Sequence, residues 1–161
     1  EEGKGFTFEP GRAELTEQFR EKLRYEVAPR LVVLANALDT KRIEVVGHTD
    51  GQKHKPTMSN LDVTLFKSPL PPAADVADQN VVSPNAPQIA SDNAGLGLMR
   101  AAAVASFLVE DAVASEKLKN FIVVPMSAGA LMLPDGTMAK ASFRPDRDRR
   151  RIEIRVLRLQ Y

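Results

Sequence analysis

Cysteine is absent from this 161-residue chain, which excludes a disulfide framework and any thiolate metal site and leaves the redox compartment unread. Long apolar runs are absent too. No stretch is long enough for a bilayer-spanning helix or a secretory h-region. The first residue is Glu1 rather than methionine, which leaves room for a signal or a membrane anchor ahead of it. Net charge is nearly absent: 22 Lys and Arg against 21 Asp and Glu give +1, so no bulk field points to a polyanionic partner. What remains is the composition of a globular protein, 43% apolar and 27% charged. Its length suits one domain, residues 1–161, that buries roughly two thirds of its unfolded surface.

Local patterns divide the chain. Lys4 to Phe8 alternates polar with aromatic residues before Pro10-Gly11, which predicts a short strand and a turn. Thr16 is a plausible N-cap with Glu17 in the first turn, and Phe19, Leu23, Val27, Leu31 and Leu34 then recur at helical spacing. Pro29 removes a backbone donor inside that pattern, predicting a kink or a break near Val27 or Ala28. Ile43, Val45 and Val46 are β-branched and read as a central strand. From Gly51 to Asp92 periodicity gives way to prolines and small polar residues, a long irregular insertion of about 51–92. Asn93 is the next plausible N-cap, and Leu96, Met99, Ala103, Val104, Phe107 and Leu108 form an apolar stripe through a helix ending near Glu110. Phe121 to Met126 is a second β-branched run, and Arg151 to Val156 reads as a half-buried strand. This order predicts an α+β fold, a two-layer α/β sandwich with a mixed sheet and helices on one face.

The segment after the central strand, Gly47-His48-Thr49-Asp50-Gly51, is a polar cluster that such a fold can expose at a sheet edge. The helix start at Asn93 carries Arg100 one turn inside and beside the apolar stripe. One carboxylate and one guanidinium on neighbouring elements suit a ligand that carries both an amine and a carboxylate. Each has a plainer reading: an aspartate at a strand end commonly accepts local backbone donors, and a helical arginine is commonly salt-bridged.

These residues resemble a known family. Ile43-Glu44-Val45-Val46-Gly47-His48-Thr49-Asp50, the Asn93-x-x-Leu96-Gly97-x-x-Arg100-Ala101 helix start, the closing Arg150-Arg151-Ile152-Glu153-Ile154 and the opening Phe8-x-x-Gly11-x-x-x-Leu15 are similar to motifs of the OmpA-like C-terminal domain. That family includes peptidoglycan-associated lipoproteins and the periplasmic domains of flagellar stator B subunits. The resemblance implies non-covalent binding of the peptidoglycan stem peptide, with Asp50 on the ammonium of diaminopimelate and Arg100 on its carboxylate. Two parallel hydrogen bonds from a guanidinium would grip that carboxylate, and the N-terminal pole of the helix would add to anion capture. Thr49 and Asn93 would support the ligand, and Arg150 would brace the site. The implied setting is a periplasmic domain of a membrane-anchored or outer-membrane-associated bacterial protein, not an enzyme and without cofactor or metal. Its expected partners are peptidoglycan, a second copy in a homodimer, and a membrane ion-channel subunit reached through a segment ahead of Glu1.

The chain departs from that family twice. Arg149-Arg150-Arg151 stands where the family has Asn-Arg-Arg, which puts the hydrogen bonds of the asparagine in doubt. The insertion of some forty residues is far longer than the family's usual connection, and it leaves the proposed site at Asp50 and returns at Asn93. Ser59-Asn60-Leu61-Asp62 and the Asn93 helix start look more like stator-type members, including those of the Zorya anti-phage motor, than like outer-membrane porins. Two other readings stand beside binding. An oligomerisation module would use the insertion for subunit contacts, and a metal-dependent hydrolase would use His48, Asp50 and His54. The arginines from Arg144 to Arg158 do not predict nucleic acid, because Asp146, Asp148 and Glu153 interleave them without aromatic stacking partners. They read as a solvated face. Gly95-x-Gly97 lacks the third glycine and the preceding βα turn of a dinucleotide fingerprint.

Overall fold

Thr16 opens the first helix in the computed structural model, which describes residues 8, 9, 11–52, 89–140, 142 and 144–158. The predicted strand at Lys4 to Phe8, Phe8 excepted, and most of the insertion lie outside those residues. The Thr16 hydroxyl accepts from the Phe19 N–H at 3.2 Å, an N-cap as predicted. α1 (Glu17–Lys22) runs through a π-helical turn, Leu23–Val27, into α2 (Ala28–Ala37). A proline ring collides with the carbonyl four residues back in a regular helix and donates nothing to it. The wide turn ahead of Pro29 accommodates both defects, the Ala28 N–H reaching the Leu23 carbonyl instead. One extra residue in that turn also moves the apolar stripe by one position. Ala28 and Ala35 are buried where the spacing predicts Val27 and Leu34, and Leu34 is 52% exposed.

Three strands form the sheet among the described residues, in the order β2-β1-β3. β1 (Arg42–His48) is central, with β2 (Ile122–Gly129) parallel on one side and β3 (Ile152–Val156) antiparallel on the other. Period-two alternation sorts the side chains. Ile43 and Val45 join Val123, Ile152, Ile154 and Val156 against the helices, while Glu44 faces Arg155 and Val46 faces Glu153 across the ladder on the opposite face. The helical layer contributes Phe19, Leu23 and Leu31, with Ala101, Val104 and Leu108 from α3 (Asn93–Glu110). Each large apolar side chain so buried contributes about 1.5–3 kcal/mol. The architecture is α+β, a mixed sheet with helices packed against it, as predicted.

One element has no counterpart in the sequence reading. α4 (Ala112–Leu118) follows α3 directly. Asp111 stops one helix and caps the next, accepting from the Val113 and Ala114 N–H groups at 3.1 and 3.0 Å. Arg24 grips the same carboxylate at 2.7 Å and ties α4 to the π turn. Hydrogen bonding to Arg24 holds the Asp111 carboxyl down at about 2. No helix among the described residues is long and apolar enough to cross a membrane.

Candidate ligand-binding site at the end of the central strand

The end of β1 is held from both sides. The His48 N–H donates to the Arg151 carbonyl at 2.9 Å, and the Thr49 N–H donates to the Gly129 carbonyl at 2.8 Å. Between Gly47 and His48 the pairing with β2 slips by one residue, so His48 stands opposite Gly129. α3 crosses this strand end at backbone contact. A β-carbon on Gly47 would overlap the Gly97 carbonyl, and one on Gly97 would meet the Ser127 hydroxyl and the Gly47 carbonyl. Glycine at both positions lets the helix start come down beside Asp50. In the sequence Gly97 stands both in the Asn93 helix-start motif and in an incomplete nucleotide pattern; its sheet-facing phase on the helix is what points to this close approach.

The polar cluster is buried rather than exposed at an edge, because its strand is the central one. His48, Thr49 and Asp50 are 0%, 1% and 4% exposed. Asp50 accepts from the Arg150 guanidinium and the Asp146 N–H on one oxygen, and from the Gln52 N–H at 3.4 Å on the other. Burial pushes its carboxyl up, but these donors outweigh burial and hold it below its usual value. Only the Gln52 N–H is a local donor; Asp146 and Arg150 come from the loop before β3. The carboxylate also stitches the strand end to the loop before β3.

Arg100 is 0% exposed. Its Nε donates to the Arg12 carbonyl at 2.9 Å, one terminal nitrogen to the Glu9 carbonyl at 3.1 Å and the other to the His48 carbonyl at 3.4 Å. The guanidinium lies 5.1 Å from the centre of the Phe8 ring. Among the described residues it makes no ion pair. Burial lowers its pKa to about 10, the charge of Arg150 acting in the same direction and that of Asp50 against them. An ordinary salt-bridged helical arginine is not what stands here.

Arg150 meets Asp50 directly in an ion pair. Asn93 is not the N-cap predicted from the sequence. Asp92 takes that position, accepting from the Gly95 N–H at 2.7 Å, because its extended backbone stands just outside the helix. Freed of capping, the Asn93 amide donates to the Gln52 carbonyl at 2.8 Å, and the Thr49 hydroxyl lies 3.5 Å from the Asn93 carbonyl. Thus all five predicted site residues belong to one neighbourhood, joined in part through main-chain atoms.

Two further residues stand at this strand end. The His48 ring bonds Glu153 at 3.1 Å through Nε2, and its Nδ1 has no partner among the described residues. Burial, then the charge of Arg151, lowers its pKa despite Glu153. His54 lies outside the described residues, and no cluster of three metal-ligating side chains occurs among the described ones. Arg149, read as part of a solvated face, is 4% exposed and donates to the Ala130 carbonyl at 2.5 Å. Arg151 reaches the Leu133 carbonyl at 3.0 Å. A cavity of about 630 Å³ lies between residues 11–15 and α3, bordered by Arg12, Arg24, Met99 and Phe107, and no predicted site residue lines it. No protein-family model and no curated protein matches this chain.

Proposed function

We propose that this chain binds the peptidoglycan stem peptide non-covalently and so anchors a membrane protein or stator complex to the cell wall. The carboxylate of a diaminopimelate side chain goes to Arg100 and its ammonium to Asp50. Arg150 braces Asp50, while Thr49 and Asn93 support the ligand.

The observation that carries this reading is the unneutralised charge of Arg100. It is fully buried, its hydrogen-bond partners are three carbonyls, and the adjacent Asp50 is already paired with Arg150. An interior cation without a counter-ion is costly. A guanidinium has five N–H groups, so two stay free to receive a carboxylate. A carboxylate has about four acceptor directions, of which Asp50 uses three, leaving one for an ammonium. Because both groups are covered, ligand entry requires surrounding contacts to part. The resemblance to four motifs of the OmpA-like domain supports the setting: a periplasmic location, a homodimer and a membrane ion-channel partner subunit.

Co-sedimentation with diaminopimelate-type sacculi tests the binding. The wild-type domain is retained. Arg100→Lys and Asp50→Asn, each confirmed as folded by thermal unfolding, lose about tenfold or more in affinity. Undiminished retention of both folded variants would remove the reading. Light scattering of the domain tests the homodimer, for which a monomer mass is the contrary result.

A further inference from the structure

Among the described residues, Arg149 is a second buried cation without a counter-ion. It is 4% exposed, and among those residues its Nε has no partner and its guanidinium bonds only the Ala130 carbonyl. Asp146 is the nearest acid by hydrogen bonding, yet its carboxylate accepts from the main-chain N–H groups of Asp148 and Arg149 and not from the side chain. The position is also specific. Ala130 follows Gly129, whose carbonyl receives the Thr49 N–H and where a β-carbon would come into contact with Ala94 in the first turn of α3. The Arg149 head group therefore sits beside the end of β1, on the β2 side, while Arg150 takes Asp50.

Asp50 is neutralised by Arg150, and Arg100 and Arg149 are then two buried cations with carbonyl partners alone. A ligand bringing one carboxylate and one ammonium leaves that excess unchanged. A ligand with a second carboxylate reduces it and gives the Arg149 Nε an acceptor, forming a charge-assisted hydrogen bond in a desolvated place.

Resting on the peptidoglycan reading above, we infer that Arg149 forms a second carboxylate subsite, so that the chain selects stem peptides whose glutamyl α-carboxylate, next to diaminopimelate, is free rather than amidated. Arg100 takes the diaminopimelate carboxylate and Arg149 the glutamyl one. Amidation of the latter removes the charge and puts donors in front of a donor.

Calorimetric titration with two synthetic tripeptides tests this: L-alanyl-γ-D-glutamyl-meso-diaminopimelate with its L-centre carboxylate blocked as the amide, and the same peptide with the glutamyl α-carboxamide as well. The wild-type domain is expected to bind the acid about tenfold or more tightly than the amide. Arg149→Gln should lose that preference by weakening acid binding alone, and Arg149→Lys should keep part of it. Equal binding of both peptides by the wild type, or an equal loss of both in Arg149→Gln, would overturn the subsite and leave Arg149 as a brace for Ala130. If Arg149→Gln fails to fold, the wild-type comparison of acid with amide still decides. Failure of wild type to bind either peptide or the sacculi would instead bring down the underlying reading.

Discussion

Arg150 and Asp50, one hundred residues apart in sequence, form an ion pair with 17% and 6% of their side chains exposed. The Asp146 N–H joins them on the same carboxylate oxygen, so the pair fastens the loop before β3 to the end of β1. Removing one member strands the others. Asp50→Asn should cost about 2 kcal/mol in urea unfolding, because a charged acceptor becomes a neutral one before two donors. Arg150→Ala should cost less, since Asp50 keeps its two N–H donors. A double-mutant cycle should return a coupling of about 1–2 kcal/mol; a coupling near zero would mean that the pair contributes nothing to stability.

Stability should fall on mild acidification, and His48 is the reason. Its folded pKa lies below the ordinary value of about 6.5, so the unfolded chain binds the proton more readily. Its contribution is present above that ordinary value and is lost as pH falls below it. The geometry agrees: a proton on Nδ1 would make a buried donor with no acceptor. Asp50, also lowered, adds a loss only further down, below the ordinary carboxylate range. Denaturant midpoints between pH 7.5 and 5 should therefore drop for wild type and stay nearly flat for His48→Phe. Parallel slopes for the two proteins would exclude His48 as the source.

The parts of the fold legible in the sequence were those governed by local period. Ile43 and Val45 announce a buried strand, and Val104 and Leu108 announce a helix face, because alternation and helical spacing reflect a core on one side. Pro29 announces a disturbance but not its form, since a π turn and a break both satisfy a missing N–H. α4 escapes notice because seven residues with two buried ones, Ala114 and Leu118, carry no stripe. At the site, motif resemblance brought Asp50, Arg100 and Arg150 together. Burial of Arg149 and the pairing of His48 with Glu153 depend on what crosses above them, and neighbouring residues in sequence say little about that.

Gly97 offers a test in which the sign itself is informative. In an exposed helix interior, glycine to alanine stabilises by about 0.5–1 kcal/mol. At Gly97 the new methyl would meet the Ser127 hydroxyl and the Gly47 backbone, so Gly97→Ala should destabilise by about 1–3 kcal/mol. Ser127 also holds the Ala94 carbonyl at 2.6 Å, and pushing it aside would loosen the first turn of α3. Unfolding in urea measures the change. A stabilising result would show that the helix and strand stand further apart than this contact requires.

The ends of the insertion are tied together independently of its length. The Asn93 amide donates to the Gln52 carbonyl at 2.8 Å, and Ala90 packs with Ala13, Leu96 and Met99 in a small buried cluster. A chain leaving at Gln52 thus returns within reach of a short connection. Replacing residues 53–88 with a short Gly-Ser linker, while keeping Ile89 to Asp92, should preserve the unfolding midpoint or raise it. Loop closure becomes cheaper by about 1–2 kcal/mol as some thirty residues are removed. If the shortened chain keeps its fold but changes mass in light scattering, the insertion serves self-association. If its mass and fold persist while the affinity for sacculi changes, the insertion acts on the site at whose edge it begins. A large loss of stability would count against an insertion energetically separate from the core, because its removal would then have cost contacts worth more than the closure entropy it relieves.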